Sequence, residues 1–190
     1  METFIPISYL NDFIFCPYSL YLHQVYDNNE DEMYSAIPQQ TGKASHAIID
    51  AEDSKPTKTP KYLKGIYVIS QRLGIYGKID TFYVSEKKLV ESKYFISTIY
   101  QGYYYQIWAQ FFALTEMGFE INTINFFSIK DRKTYPVNIP TEIDFLELKI
   151  HIKNIAHFDF EQELMVNPVK CSHCIYAALC DKTNLDHVYA

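Results

Sequence analysis

The four cysteines are divided between the two ends of the chain, and this division constrains the fold more than any other feature of the sequence. Cys16 stands alone near the N-terminus, whereas Cys171, Cys174 and Cys180 form a C-x2-C-x5-C cluster. A site that uses all four sulfur atoms must bring both ends of the chain together and close the residues between them into one loop. The spacing alone is compatible with tetrahedral zinc or with an iron–sulfur cluster, because four thiolates satisfy either one.

Length and composition predict one domain, residues 1–190, with no membrane partner. The chain has 190 residues, of which 48% are hydrophobic, and this is enough to fill a core. Its first 25 residues contain no basic leader and no small-residue cleavage site, and no apolar run approaches the length of a membrane span. We therefore expect a cytoplasmic protein, in which clustered thiols are metal ligands more often than disulfides.

Charge and aromatic content give opposing indications about nucleic-acid binding. The net charge of -6 argues mildly against a protein that binds duplexes, because duplex binding usually needs a concentrated basic surface. The 17 tyrosines and 13 phenylalanines could serve as stacking surfaces for unpaired bases. The alternative is that they reflect genome bias and core filling.

The hydrophobic pattern predicts a mixed α/β layer of helices around a small sheet. One buried helix is expected over residues 7–26 with Cys16 inside it, and a second over residues 41–50. Ser97 or Thr98 can cap a long helix that runs to Met117 and ends at Gly118. The remaining predicted elements are strands over 66–70, 74–84, 89–95, 121–129 and 134–139, and a helix from Thr141 to about residue 155.

Three charged residues lie in apolar, strand-like surroundings. A tight turn about residues 85 and 86 would pair Asp80 with Glu91 across a hairpin, and a four-residue turn would make them diagonal neighbours. Two facing carboxylates repel and are tolerated when a cation lies between them. Lys93 shares a strand face with Glu91, so the pattern predicts two metal ligands and an ammonium group in one pocket. Such a pocket suits phosphodiester hydrolysis, although ordinary surface charges on a half-exposed hairpin would give the same pattern.

Three further polar residues are candidates for the same pocket. His46 is a candidate third metal ligand, and an imidazole would shift the preference from Mg2+ towards Mn2+. Gln106 and Gln110 share one helix face and could position a phosphate or a metal-bound water. Taken alone, the histidine is more often a packed core or surface residue, and the glutamines form only a polar stripe.

Six sequence blocks, in order, resemble the RecB-like exonucleases of CRISPR adaptation, a family here called Cas-four. The resemblance covers about residues 8–180. The matching blocks are FCPYSLYLHQ, TGKASHAIID, RLGIYGKIDTFYV, VESKY, YQIWAQFFALTEMG and CSHCIYAALC. The resemblance implies a restriction-endonuclease-like PD-(D/E)xK core, with a small mixed sheet flanked by helices. It also implies that a four-iron, four-sulfur (4Fe-4S) cluster joins the N- and C-terminal helices.

The resemblance also implies the role of each candidate residue. His46, Asp80 and Glu91 would bind the catalytic Mn2+ or Mg2+ together with the backbone carbonyl of Ser92, and Lys93 would be the catalytic lysine. The cluster ligands would be Cys16, Cys171, Cys174 and Cys180.

The expected activity is metal-dependent exonucleolytic degradation of single-stranded DNA. The substrates would include prespacer DNA with single-stranded overhangs, which is trimmed and selected for a PAM with the adaptation integrase as partner.

Two other functions fit the same sequence. One is a non-catalytic iron–sulfur adaptor that binds the integrase without cutting DNA. The other is a nuclease of recombinational repair in which zinc or an iron–sulfur cluster joins the two ends of the chain. The intact set of Asp80, Glu91 and Lys93 makes the adaptor the weaker alternative.

Overall fold

The computed structural model of the protein describes residues 4–26 and 61–183. Within these ranges, helices flank two mixed β-sheets, which makes the fold mixed α/β. The strands are β1 (Ile5–Pro6), β2 (Tyr62–Lys64), β3 (Tyr67–Ser70), β4 (Ile75–Lys78), β5 (Thr81–Tyr83), β6 (Lys88–Lys93), β7 (Thr123–Ser128) and β8 (Lys133–Val137). The helices are α1 (Ser8–Phe15), α2 (Pro17–Tyr26), α3 (Gln101–Glu116), α4 (Glu142–Ala156) and α5 (Pro168–Cys171), followed by a 3-10 turn at Ala177–Leu179. The helix predicted over 41–50, which contains His46, lies outside the described residues.

The two sheets differ in size, and helices pack against both of them. The smaller has the strand order β1-β4-β3 and the larger the order β2-β5-β6-β7-β8. The pairs β1–β4 and β6–β7 are parallel, and every other pair is antiparallel. Helix α3 provides the crossover that the parallel pair β6–β7 requires. The predicted α/β class with flanking helices is confirmed, but the described residues form two mixed sheets where one small mixed sheet was predicted.

A bent hairpin links the two sheets, so the single strand predicted over 74–84 is wrong. Strands β2 and β3 pair with β5 and β4 in one continuous register, but the chain leaves strand geometry between β4 and β5. At the bend, Gly65 has a left-handed φ of 59° and donates its N–H to the carbonyl oxygen of Asp80 at 3.3 Å. Glycine adopts this conformation without a steric penalty. Asp80 therefore lies where the hairpin crosses from one sheet to the other.

The hairpin between β5 and β6 has the register that places Asp80 opposite Glu91, as predicted. Thr81 pairs with Val90, which makes the next pair along the ladder Asp80 and Glu91. The connecting turn is closed by a hydrogen bond from Lys87 N–H to the Val84 carbonyl oxygen.

Cys16 separates two helices, so the prediction of one helix over 7–26 is wrong. Its φ of -160° and ψ of 116° are extended, and α1 ends before it while α2 begins at Pro17. A residue that precedes proline is sterically pushed out of the helical region, which explains the break. The break leaves Cys16 at the junction of two helices.

Helix α3 starts later than predicted and ends where predicted. Its N-cap is Tyr100 rather than Ser97 or Thr98, because the preceding segment is tied to β7 by a bond from Ile96 N–H to Ser128 Oγ at 3.3 Å. Gly118 follows the helix with a φ of 94°.

Helix α4 begins after Thr141, as predicted. The Thr141 side chain accepts a hydrogen bond from the Asp144 N–H, and the two residues form a capping box.

The hydrophobic core lies between α1, α3, α4 and the inner faces of the sheets. Its fully buried members include Leu10, Ile75, Phe82, Leu114 and Phe126. No helix in the two described ranges is both long and apolar enough to cross a membrane.

Helix α3 packs tightly on helix α1 at Gly102, which faces Asn11 of α1. A Cβ atom at position 102 would lie 3.0 Å from the Asn11 Cα and closer still to the Asn11 Oδ1. Alanine normally stabilises a helix by about 1 kcal/mol relative to glycine. We expect Gly102→Ala to reverse this sign and lower the free energy of unfolding by about 1–2 kcal/mol, because the backbone of α1 must move. Urea unfolding measures the difference, and an increase in stability would mean that the two helices are not in this contact.

Candidate functional site

The predicted carboxylates, lysine and glutamines form one hydrogen-bonded cluster between the hairpin bend, strand β6 and helix α3, and we call this cluster the acidic pocket. Lys93 Nζ lies 2.8 Å from Glu91 Oε1 and 2.6 Å from Gln106 Oε1. Gln110 Nε2 donates to Glu91 Oε2 at 2.7 Å. Asp80 joins from the bend, because its Oδ2 accepts a hydrogen bond from the backbone N–H of Ser92 at 2.7 Å.

Glu91 is the buried centre of this network. It occupies the same face of β6 as the buried Leu89, and only 2% of the residue is exposed. A buried carboxylate is costly unless it is paired and hydrogen-bonded. Lys93 and Gln110 meet this requirement with one bond to each oxygen. Each oxygen retains a second lone pair that can bind a further donor or a cation.

Lys93 is held in place on three sides. Its ammonium group bridges Glu91 and Gln106, and it lies 5.0 Å from the centroid of the Tyr103 ring. Burial by itself lowers the pKa of Lys93, but the neighbouring carboxylates of Glu91 and Asp80 outweigh burial, so that the pKa is raised. Lys93 therefore carries a fixed positive charge at neutral pH.

The environment of Asp80 disfavours the charged form of its side chain. Burial and the nearby Glu91 carboxylate together raise the pKa of Asp80 well above its usual value, and the Ser92 N–H only partly offsets them. When both carboxylates are ionised, the single ammonium group of Lys93 leaves an excess of negative charge in the pocket. A bound divalent cation would relieve that repulsion.

The side-chain oxygen of Gln110 is a further acceptor that could bind a cation or a water molecule. Its side chain is fully buried, and its Oε1 has no hydrogen-bond partner within the described ranges. The amide orientation is fixed chemically, because the Glu91 carboxylate requires the NH2 group to face it. The unpartnered Oε1 belongs to the same amide whose NH2 group bonds Glu91, and the hard carboxylate oxygens of Asp80 and Glu91 suit Mg2+ or Mn2+.

One acidic residue near this pocket, Asp12 of α1, was not predicted from the sequence. Asp12 is half-buried, and burial raises its pKa while His23 and Lys93 lower it. Its sequence signal was weak: Asp12 is one carboxylate in the helix SYLNDFIF, which also contains the polar residues Ser8 and Asn11. Its placement beside Lys93 depends on the packing of α1 on α3, which no local pattern reveals.

The four predicted cluster cysteines line one pocket, although they come from opposite ends of the chain. All four are free thiols, and each is partly exposed. Burial raises the pKa of Cys171 and of Cys174, and the proximity of Cys16 and Cys180 raises both further. The pocket is otherwise largely apolar, with α2 residues on one side and the segment before α5 on the other.

The C-terminal segment is attached to the N-terminal helices by polar contacts around this pocket. Tyr18 donates its hydroxyl to Asp181 at 2.7 Å, and Tyr176 lies 2.8 Å from the His23 Nδ1. Lys170 Nζ donates to the Ile14 carbonyl oxygen at 2.9 Å, which satisfies an acceptor at the end of α1. The fold therefore brings α2 and the segment 170–181 together, as a site that used all four cysteines would require.

Four cysteines that line one pocket could supply the soft thiolate donors that zinc and iron–sulfur centres use. In residues 4–26 and 61–183, no three side chains of His, Cys, Asp or Glu form a ready-made metal-binding group. The four thiols therefore line the same pocket but are not close enough to form a preformed metal site. Within the described part of the chain, Asp80 and Glu91 provide two carboxylate ligands without a third one beside them. Of the predicted ligands, His46 lies outside the described residues.

The comparison with known proteins supports a fold and no more. No protein-family model and no curated protein matches the sequence. Among solved structures, the crystal structure of SSO0001 is similar, with a TM-score of 0.66 over 96% of this chain and 88% of that chain. The sequence identity is 13%, so the likeness shows a common α/β architecture alone.

Proposed function

We propose that the protein is a metal-dependent nuclease that digests single-stranded DNA exonucleolytically and acts in CRISPR adaptation. The observation that carries the proposal is the convergence of Asp80, Glu91 and Lys93 in one pocket, with Glu91 buried and bonded to Lys93 at 2.8 Å. Two carboxylates beside an ammonium group fit a PD-(D/E)xK site. The two glutamines of α3 hydrogen-bond to this group, Gln106 to Lys93 and Gln110 to Glu91.

The residues of the pocket have distinct roles in this proposal. Asp80 and Glu91 would hold Mn2+ or Mg2+, with His46 and the Ser92 carbonyl oxygen as further ligands. When bound, the ion supplies Lewis-acid polarisation of a phosphoryl oxygen and a water of lowered pKa. Lys93 offers a fixed positive charge for the phosphate, because Gln106 and Glu91 restrict its side chain. Gln110 fixes the orientation of the Glu91 carboxylate.

The cysteine pocket has a structural role in the same proposal. Cys16, Cys171, Cys174 and Cys180 would hold a 4Fe-4S cluster that joins the two ends of the chain. Their common pocket supports this assignment, and the spacing leaves zinc as the alternative occupant.

The proposed pathway places this nuclease beside the adaptation integrase. Its substrates would be prespacers with single-stranded overhangs, which it trims while helping to select those that carry a PAM. This part of the proposal depends on the six sequence blocks of the family resemblance.

Lys93→Ala tests the proposed chemistry. We expect purified protein to digest labelled single strands with Mn2+ or Mg2+ but not with EDTA, and Lys93→Ala to lower the rate by about 10²–10³-fold, because the charge beside the phosphate is lost. Lys88→Ala is the matched control, since Lys88 is on the same strand but pairs with Glu86. Circular dichroism shows whether each variant remains folded.

The result also separates the proposed nuclease from the adaptor. Cleavage that persists in Lys93→Ala contradicts the assignment of the site. A folded wild-type protein that binds the integrase and alters spacer choice, but cuts no strand with either metal, is the adaptor.

A further inference from the structure

An exposed group of aromatic and basic residues lies beside the candidate active site. Lys93 is the last residue of β6, and the chain continues with Tyr94 and Phe95, while Tyr100 precedes α3. Phe95 is 48% exposed and Tyr100 is 56% exposed, although both are large aromatic residues. We call Tyr94, Phe95, Tyr100, Lys130 and Arg132 the aromatic–basic rim.

The basic part of the rim comes from the turn between β7 and β8, which packs on the end of β6. Lys130 N–H donates to the Tyr94 carbonyl oxygen at 2.8 Å, and Lys130 Nζ lies 5.1 Å from the centroid of the Phe95 ring. Lys133, the first residue of β8, is paired with Asp131 of the turn at 3.1 Å. Lys130 and Arg132 are exposed and make no ion pair with the residues the structure describes. Two positive charges are therefore available in a chain whose net charge is -6.

The rim is continuous with the pocket through Tyr103. The Tyr103 ring lies under the Lys93 ammonium group, and its centroid is 5.9 Å from that of Tyr100, with the rings nearly perpendicular. A ligand that contacts Tyr100 is thus one aromatic ring away from Lys93. The rim also lies where the parallel strands β6 and β7 both end, which is the edge at which α/β sheets usually bind ligands.

The chemistry of the rim favours one kind of ligand. Exposed aromatic faces stack on nucleobases only when the bases are unpaired, and interleaved basic residues contact the phosphates between them. A duplex hides its bases and needs a wider basic surface than two residues provide. A small anion would use the charges but leave two large rings exposed.

We infer that the aromatic–basic rim binds the unpaired segment of a nucleic-acid strand and leads it to Lys93. Phe95 and Tyr100 stack on successive bases, and Lys130 and Arg132 contact the backbone phosphates. The inference rests on the proposed function and identifies the surface that holds its substrate.

Binding measured without cleavage tests the rim separately from the chemistry. In EDTA, fluorescence anisotropy measures the affinity for a labelled oligodeoxythymidine of about 12 nucleotides, which spans a typical single-strand site. We expect Phe95→Leu to weaken binding about tenfold through lost stacking. We expect the double variant Lys130→Gln/Arg132→Gln to reduce the slope of log affinity against log salt by about 1.4, since each phosphate contact contributes about 0.7.

Two controls match these changes. Tyr67→Leu removes an exposed aromatic residue from the smaller sheet, and Lys149→Gln/Lys153→Gln removes two exposed charges from α4. Wild-type affinity in the rim variants, equal losses in the controls, or a wild-type protein that does not bind the strand would each overturn the inference. Tight binding that depends on the rim, without metal-dependent cleavage, supports the rim and contradicts the proposed function. If the rim variants leave both cleavage and binding unchanged, the proposed function stands and the rim inference is contradicted.

Discussion

Asp80→Asn is expected to abolish cleavage and leave the protein at least as stable as the wild type. The substitution keeps the acceptor for the Ser92 N–H, which now bonds at 2.7 Å, but removes the negative charge that faces Glu91. Since burial and this repulsion raise the pKa of Asp80, the carboxylate is an unfavourable group in the folded protein without a cation. Residues that serve function often lower the stability of the folded protein, and a carboxylate placed against another carboxylate is expected to do so.

The expected loss of activity is about 10³-fold or more, because a carboxylate that positions a catalytic ion contributes several kcal/mol to transition-state stabilisation. The melting temperature without divalent ions should stay the same or rise by up to about 4 °C, which corresponds to about 1 kcal/mol. Rate assays with Mn2+ and thermal melts in EDTA measure the two effects on the same samples.

Asp159→Asn is the matched control for this variant. Asp159 is exposed and also accepts one backbone hydrogen bond, from the Glu161 N–H at 2.9 Å, but it lies after α4. We expect wild-type cleavage from this control. Full activity in Asp80→Asn would show that the carboxylate takes no part in the reaction, and a large fall in its melting temperature would show that Asp80 is structural.

The sequence predicted the local geometry of the site because that geometry depends on a short hairpin. The pairing of Asp80 with Glu91 follows from one tight turn and the two-residue repeat of a strand, which also places Lys93 beside Glu91. Gln106 and Gln110 share a face through helical periodicity alone. Such features need no knowledge of how distant segments pack.

The features that the sequence did not predict all depend on tertiary contacts. The break at Asp80 arises from a partner strand that bends at Gly65, and the late start of α3 arises from the attachment of Ile96 to Ser128. Asp12 reaches the neighbourhood of Lys93 only because α1 packs on α3. The break at Cys16 is different, because Pro17 marks it in the sequence and the apolar periodicity continues across it.

Cys180→Ala is expected to destabilise the protein strongly while sparing most of its intrinsic chemistry. The cysteine pocket joins α2 to the C-terminal segment, whereas Asp80, Glu91 and Lys93 belong to the central hairpin and β6. The binding energy of a structural metal centre is part of the folding free energy, so that loss of one ligand should cost about 3 kcal/mol or more. In a chain of this size, that cost corresponds to a fall in melting temperature of about 6–12 °C.

The measurements for Cys180→Ala use protein prepared anaerobically. Iron and sulfide analysis with visible absorption identifies a cluster, and zinc analysis identifies the alternative occupant. We expect the variant to lose the bound metal and to be cut by protease first near its two ends, while the rate of strand cleavage per folded molecule changes only a few-fold.

His173→Ala is the control for Cys180→Ala, because His173 is exposed and lies between Cys171 and Cys174. It should retain the metal, the melting temperature and the activity. An unchanged melting temperature together with abolished cleavage in Cys180→Ala would contradict a structural role and would place the cysteine centre in the reaction itself. Because the two pockets share no ligand residue, the Asp80→Asn and Cys180→Ala variants should fail in different assays: the first in cleavage alone, the second in stability.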